Sequence, residues 1–218
     1  MTNVIPMTDS KNLIRLMAWL SPSFPTGAFS YSHGLEAVAD GFDGPGDLHD
    51  WIATLLQNGS AWNDAVLLAQ AWRDDDVEQT SELALALAGS KERHDETLNQ
   101  GQAFMSAAEP WLTEKPALDQ WPLPVAVGHV AAQNNIELHA TLTAFLHAFV
   151  SNQIQASLRL MSMGQKAGVA LLHRFEPLIE ATASRAATST LDDLGSATLM
   201  AEVAAMKHET LTSRIFRT

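Results

Sequence analysis

The chain has 218 residues and a mass of 23.6 kDa, and its 46% hydrophobic residues can build the core of one domain or two small ones. Its 25 Asp plus Glu outnumber 13 Lys plus Arg, and the net charge of −12 argues against nonspecific nucleic-acid binding and against acidic membrane surfaces. With no cysteine, disulfides, thiolate zinc sites, iron–sulfur clusters and cysteine nucleophiles are excluded.

The N-terminal residues M-T-N-V-I-P-M-T-D-S-K-N lack the basic start and apolar run of a secretory signal, so a cytoplasmic protein is expected. The 33 Ala and 28 Leu far exceed the 10 Val and 7 Ile, which predicts an all-α fold. Leu13, Leu16, Met17 and Leu20 recur at helical spacing, with Asp9 or Ser10 before them as a cap. Asp47, after Gly44-Pro45-Gly46, starts a helix through Leu48, Trp51, Ile52, Leu55 and Leu56, which Asn58-Gly59 ends. Ser90 caps a helix through Arg93 and Thr97; Pro116, Pro122 and Pro124 mark a connection, and Pro122 or Pro124 begins the helix of Val127 and Val130. The uncharged run Leu138 to Leu158 contains His139, His147, Ser151, Asn152, Gln153 and Gln155, and reads as a buried helix rather than a membrane span. Pro177 is expected to kink or restart the helix after Arg174. The expectation is a single compact domain over 1–218 of about nine or ten helices, with flexible tails at 1–8 and about 208–218.

Chemistry-bearing motifs are scarce. The chain has no phosphate loop, dinucleotide turn, zinc helix, nucleophile elbow or calcium loop. His139 and His147 lie two turns apart, roughly 12 Å along a helix, too far to share one metal ion. His94-Asp95-Glu96 and His208-Glu209 are not diagnostic of metal, and no metal site is assigned. Residues 36–96 carry 14 acids and 3 bases, including Asp74-Asp75-Asp76, as solvated helix faces or as a docking face for a basic partner.

Two segments break the helical pattern. Residues 21–36, S-P-S-F-P-T-G-A-F-S-Y-S-H-G-L-E, combine the backbone restraint of Pro22 and Pro25 with the freedom of Gly27, and Ser30 or Ser32 can cap the turn toward Leu35. This segment is an ordered loop supporting the core or a binding loop. Residues 207–218, K-H-E-T-L-T-S-R-I-F-R-T, place three Lys and Arg together with His208 against one acid, with Ile215 and Phe216 between two arginines. Such a tail suits docking, Phe filling a pocket while Arg forks a carboxylate or phosphate, or it folds back on its own acidic domain.

The Ser21–Glu36 signature and the S-R-I-F-R-T ending resemble the UreF family of urease accessory proteins, whose usual ending is R-L-F-R-S. Between them, K-E-R-x-x-x-T-x-x-Q-G at Lys91 to Gly101, P-x-A-x-G at Pro124 to Gly128, and N-x-x-x-A-x-x-R-L-x-x-x-G-Q at Asn152 to Gln165 follow in the family's order. Ile215 and Thr218 replace the usual Leu and Ser, and Met161-Ser162-Met163 stands where a Pro-Leu pair often precedes Gly-Gln.

The resemblance implies an all-helical, homodimeric, non-enzymatic scaffold that bridges a UreD-type (UreH) accessory protein and the UreG GTPase, then acts on the urease apoprotein. It further implies that nickel and GTP travel with the GTPase, whose hydrolysis the scaffold controls, and that this chain holds no cofactor of its own. Arg214, Ile215, Phe216 and Arg217, with His208 and Glu209, are the implied partner-binding residues, the tail becoming ordered on the UreD-type protein. Tyr31, Ser32 and His33 in the loop, and Arg93, Gln165 and Lys166 in internal motifs, are further candidates; Pro22, Pro25, Gly27, Phe29, Ser30, Gly34 and Glu36 are the structural part of the signature. Arg217 is also a candidate arginine finger for the partner's GTP site. The alternatives are a histidine-based nickel-carrying helical protein and, more remotely, a helical enzyme with carboxylates and histidines in a central pocket.

Overall fold

The computed structural model describes residues 9–74, 77–114 and 118–218. Among them are nine α-helices and no strand: α1 Ser10–Trp19, α2 Pro45–Asn58, α3 Ser60–Arg73, α4 Glu78–Ala86, α5 Lys91–Ala107, α6 Leu123–Gln133, α7 Leu138–Leu160, α8 Gln165–Ala186 and α9 Leu199–His208. Short 3₁₀ turns at Ala28–Ser30, Leu35–Ala37 and Ala39–Gly41 carry the chain from α1 to α2. The expected 1–8 tail and Pro116 lie outside the described residues.

Local chemistry sets the boundaries much as the sequence suggests. The Asp9 side chain accepts from the Lys11 amide to open α1, and Ser90 accepts from the Arg93 amide to open α5. Pro45 supplies the pre-set φ of a first helical turn in α2, two residues before Asp47, and Gly59 ends that helix. Pro122 precedes α6, with Pro124 in its first turn. Two expectations need correcting. The helix does not restart at Pro177: α8 is continuous from Gln165 to Ala186, because Pro177 sits on its exposed face, where water can satisfy the carbonyl it frees. In α1, Leu13 and Met17 face solvent, and the buried residues are Leu16 and Trp19.

The core is organised around α3, nine of whose fourteen residues are buried, and which packs chiefly against α6. The pair α7 and α8 forms a second close contact, and α5 lies against α6. Small residues permit these approaches. A Cβ on Gly128 of α6 would fall 2.4 Å from the Leu68 carbonyl oxygen of α3, and one on Gly101 of α5 would fall 1.8 Å from the Trp121 carbonyl oxygen. Both glycines belong to the internal motifs, so their place in the sequence reports backbone contact between helices. Trp19, Phe104 and Trp111 meet edge to face beneath α1, with centroids 6.3 and 5.8 Å from Trp19.

Gly101→Ala should therefore cost about 3 kcal/mol or more, because the clash is with backbone that cannot rotate away. Gly46→Ala in α2, with nothing within 4 Å of the added carbon, should be neutral or slightly stabilising. Urea denaturation of both variants checks the contrast.

Candidate functional site

The two segments that break the helical pattern form one unit. Gly27, at φ 75°, and Gly34, at φ 77°, turn the 27–36 loop back on itself, and a Cβ on Gly34 would lie 2.9 Å from the Ala205 backbone nitrogen of α9. This close approach brings Glu36 beneath the end of α9. One Glu36 carboxylate oxygen accepts from the Ile215 amide at 2.7 Å, and the other from the Phe216 amide at 2.9 Å and from His208 Nε2 at 3.0 Å.

The contact continues along both strands of chain. The Arg217 amide donates to the Ser30 carbonyl at 2.8 Å, and the Ser32 amide donates to the Thr218 carbonyl at 3.0 Å. The Ser32 hydroxyl also donates to that carbonyl, and Thr218 Oγ1 accepts from the Ser32 and His33 amides, each at 3.2 Å. Phe216 is 4% exposed, and the Arg159 guanidinium of α7 lies 4.5 Å from its ring centroid. Asn152 of α7 braces the loop by donating to the Tyr31 carbonyl at 3.1 Å.

The expected flexibility of 208–218 is thus corrected: the segment packs on its own domain. Phe216 alone contributes about 1.5–3 kcal/mol of apolar burial, the Ile215, Phe216 and Arg217 amides that a frayed tail would leave to water are bound by Glu36 and Ser30, and the Thr218 carbonyl is bound by Ser32. His208 is fully buried, its Nδ1 2.6 Å from Glu92, which also pairs with Arg214. Glu209 accepts from the Lys91 amide at 2.8 Å, tying the end of α9 to the start of α5.

Behind the tail lies a buried ionic cluster. Arg93 pairs with Asp64 of α3 and, at 3.6 Å, with Glu96; His33 Nε2 is 3.0 Å from Glu96, and Thr218 Oγ1 donates to Glu96 at 3.3 Å. Burial pushes the Asp64 carboxyl up despite Arg93. Burial also acts on Glu96, but the charges of His33 and Arg93 outweigh it and hold its carboxyl below the usual range. A cavity of about 90 Å³ adjoins the cluster, lined in part by His33, Asp64, Arg93 and Thr218 and by Thr198 and Glu202 at the start of α9.

The structure separates the candidates into three groups. Tyr31, Ser32, His33, Glu36, His208, Glu209 and Arg214 to Thr218 are brought together. Arg93 is largely buried beneath them, paired with Asp64 and Glu96. Gln165 and Lys166 stand exposed in the first turn of α8, which does not hold the tail, and Pro22, Pro25 and Phe29 are exposed in the loop. Glu92, Glu96, Asn152 and Arg159 are holding residues beyond the candidate set; each lies within a motif already visible in the sequence. Among the described residues there is no group of three or more His, Asp or Glu placed to hold a metal ion.

Comparison with known proteins gives this arrangement its class. The UreF family model matches residues 43–176. The chain is 51% identical over 230 residues to the urease accessory protein UreF of Brucella ovis, with both chains fully covered. It is 54% identical over 218 residues to that of Agrobacterium fabrum, covering 94% of this chain and 96% of the relative. The class is thus an all-helical accessory protein of urease maturation, with an accessory rather than catalytic part. The chain belongs to the UreF family.

Three outcomes follow from the geometry. Glu36→Ala should detach residues 214–218 without unfolding the helices, seen as faster hydrogen exchange confined to the Ile215, Phe216 and Arg217 amides and to the Ser32 and His33 amides that Thr218 accepts. Burial acts to raise the Glu36 carboxyl, but the Ile215, His208 and Phe216 hydrogen bonds hold it below its ordinary 4.5. Its contribution is therefore complete above pH 4.5 and is lost as pH falls through its lower folded value, so the stability gap between wild type and Glu36→Ala should close in acid. Arg93→Ala should cost about 3–5 kcal/mol by leaving buried carboxylates unpaired, measured by urea denaturation.

Proposed function

We propose that the tail and the 27–36 loop form one docking face for a UreD-type (UreH) accessory protein, and that the assembled pair recruits the UreG GTPase. In this reading nickel and GTP travel with the GTPase, and the scaffold times GTP hydrolysis and directs nickel to the urease apoprotein as a homodimer, without holding a cofactor.

The observation that carries the reading is the ordered tail. Phe216 is pinned by Glu36 of the signature loop and Arg214 by Glu92 of α5, while the Ile215 and Arg217 side chains beside them face solvent. The helix leading into the tail adds apolar surface: Leu199, Met200 and Met206 of α9 are exposed, and Leu199 and Met206 lie two turns apart on one face. Exposed large apolar groups beside guanidinium forks suit a protein partner with apolar pockets and acidic rims. Arg93 would act here indirectly, by fixing Glu96 and so Thr218. Gln165 and Lys166 would belong to a separate contact on α8.

Arg214→Ala should weaken co-elution with the UreD-type protein and UreG by about tenfold or more in affinity, while the isolated chain stays folded. In cells carrying the cognate urease cluster, deletion of Ile215 to Thr218 should abolish nickel-dependent urease activity at normal apoprotein levels. Full co-elution and full activity would overturn the docking role. Equal single-turnover GTP hydrolysis by the partner with and without Arg217 would remove that residue as an arginine finger and leave conformational control.

A further inference from the structure

An Asp or Asn stands before a glycine at three places: Asp40–Gly41, Asp43–Gly44 and Asn58–Gly59. Such pairs can react with themselves, because the glycine amide nitrogen reaches the side-chain carbonyl carbon of the preceding residue with no Cβ to crowd its approach. Asp40, Asp43 and Asn58 are all exposed, so access to water does not distinguish them. The difference lies in the nitrogen that would attack.

Two of the three nitrogens are held. The Gly41 amide donates to the Val38 carbonyl at 2.9 Å inside a 3₁₀ turn. The Gly59 amide donates to the Leu55 carbonyl at 3.2 Å where α2 ends, and the Asn58 carbonyl of the same peptide accepts from the Ala197 amide at 2.9 Å. Gly59 is also buried, with Leu55 Cα and Thr198 Cγ2 3.0 Å from the place of a Cβ. Turning either nitrogen toward a side chain therefore breaks a backbone hydrogen bond. Gly44 differs from both. It is the N-cap of α2, extended at φ 165° and ψ −164°, and nothing lies within 4 Å of the place of a Cβ. Among the described residues its amide has no hydrogen-bond partner, as befits the open start of a helix. The Asp43 amide donates to the Asp47 carboxylate at 2.6 Å, whereas the Asp43 carboxyl group itself has no partner among the described residues and can turn.

We propose that Asp43–Gly44 is a site of spontaneous isoaspartate formation in the folded chain, and that backbone hydrogen bonds protect Asp40–Gly41 and Asn58–Gly59. The Gly44 nitrogen bonds to the side-chain carbonyl carbon of protonated Asp43, whose hydroxyl leaves as water with the amide proton. The five-membered imide then takes up one water at either carbonyl. Breaking the nitrogen's bond to the side-chain carbon restores Asp43. Breaking its bond to the main-chain carbonyl carbon leaves the chain running through the side chain, with the former main-chain carbonyl a free carboxylate. Water is lost and regained, so the composition is unchanged and no other reactant is needed. The isomer adds one carbon to the main chain where Asp43 reaches Asp47 and where Phe42 meets Trp51, their centroids 6.1 Å apart, so it is felt at the entry to α2.

The test ages the full chain at neutral pH in heavy-oxygen water, folded and, in parallel, unfolded in urea. Each imide that hydrolyses takes up one labelled oxygen, which fragmentation of the digested chain assigns residue by residue, and an isoaspartate-specific methyltransferase counts the isomer itself. In urea all three positions should label, with Asn58 also losing ammonia. On folding, each position is compared with its own rate in urea, and Asp43 should be slowed severalfold less than Asp40 or Asn58. Gly44→Ala, whose added carbon meets open space, should keep the fold and lose most of the Asp43 signal, because a Cβ obstructs ring closure. Equal slowing at all three positions would overturn the proposal. So would an Asp43 signal that persists undiminished in Gly44→Ala, since the label would then enter by a route other than the imide.

Discussion

The carboxylate of Glu36 is the constraint on which the functional end of the molecule depends. It sits where it can accept two consecutive tail amides because Gly34 adopts positive φ and meets the α9 backbone without a Cβ. An extended segment whose amides meet a single carboxylate is fixed in position more firmly than apolar burial alone would fix it. Charge-assisted hydrogen bonds are directional, whereas the contact of Phe216 beneath Arg159 is tolerant of sliding. Loop and tail are thus one structural element assembled from opposite ends of the sequence.

The buried cluster beneath extends this logic inward. Asp64, Arg93, Glu96 and His33 come from α3, α5 and the loop, and Thr218 from the tail. A buried ionic group contributes little net stability compared with a well-packed apolar one, but it accepts few arrangements. Here the arrangement it accepts places the 32–33 amides around Thr218 Oγ1. The position of the tail is therefore written into the helical core as well as the surface loop.

Helical spacing, caps and Ala/Leu richness made the fold class and most helix boundaries legible, since those features act within a few residues of each other. Pro177 does not restart the helix, because whether an internal proline ends one depends on which face it occupies, a tertiary property. Leu13 and Met17 had the right period but faced outward, since α1 is anchored by Trp19 among Phe104 and Trp111. At the site, the unusual composition of both segments marked them out. Their mutual contact could not be read, because nothing local links Glu36 to Phe216 across 180 residues. The same limit hid Glu92, Glu96 and Arg159, whose motifs were visible but whose target was not.

The pairing also changes what the uneven charge means. In the sequence the acidic stretch 36–96 reads as a solvated or docking face, and the basic segment 207–218 as a docking tail or one folded back on its own acidic domain. In the structure Glu36, Glu92 and Glu96 from the first hold the second, so part of the complementarity is consumed within the chain. A partner that lifted the tail away would have to replace the amide contacts of Glu36, the burial of Phe216 and the Arg214 pair, and would leave Glu36 and Glu92 facing each other across His208. A partner that met the docked tail would forgo none of these and would find Ile215 and Arg217 already oriented. On energetic grounds recognition of the preformed face is the less costly route, because the ordering of the tail has been met before the encounter.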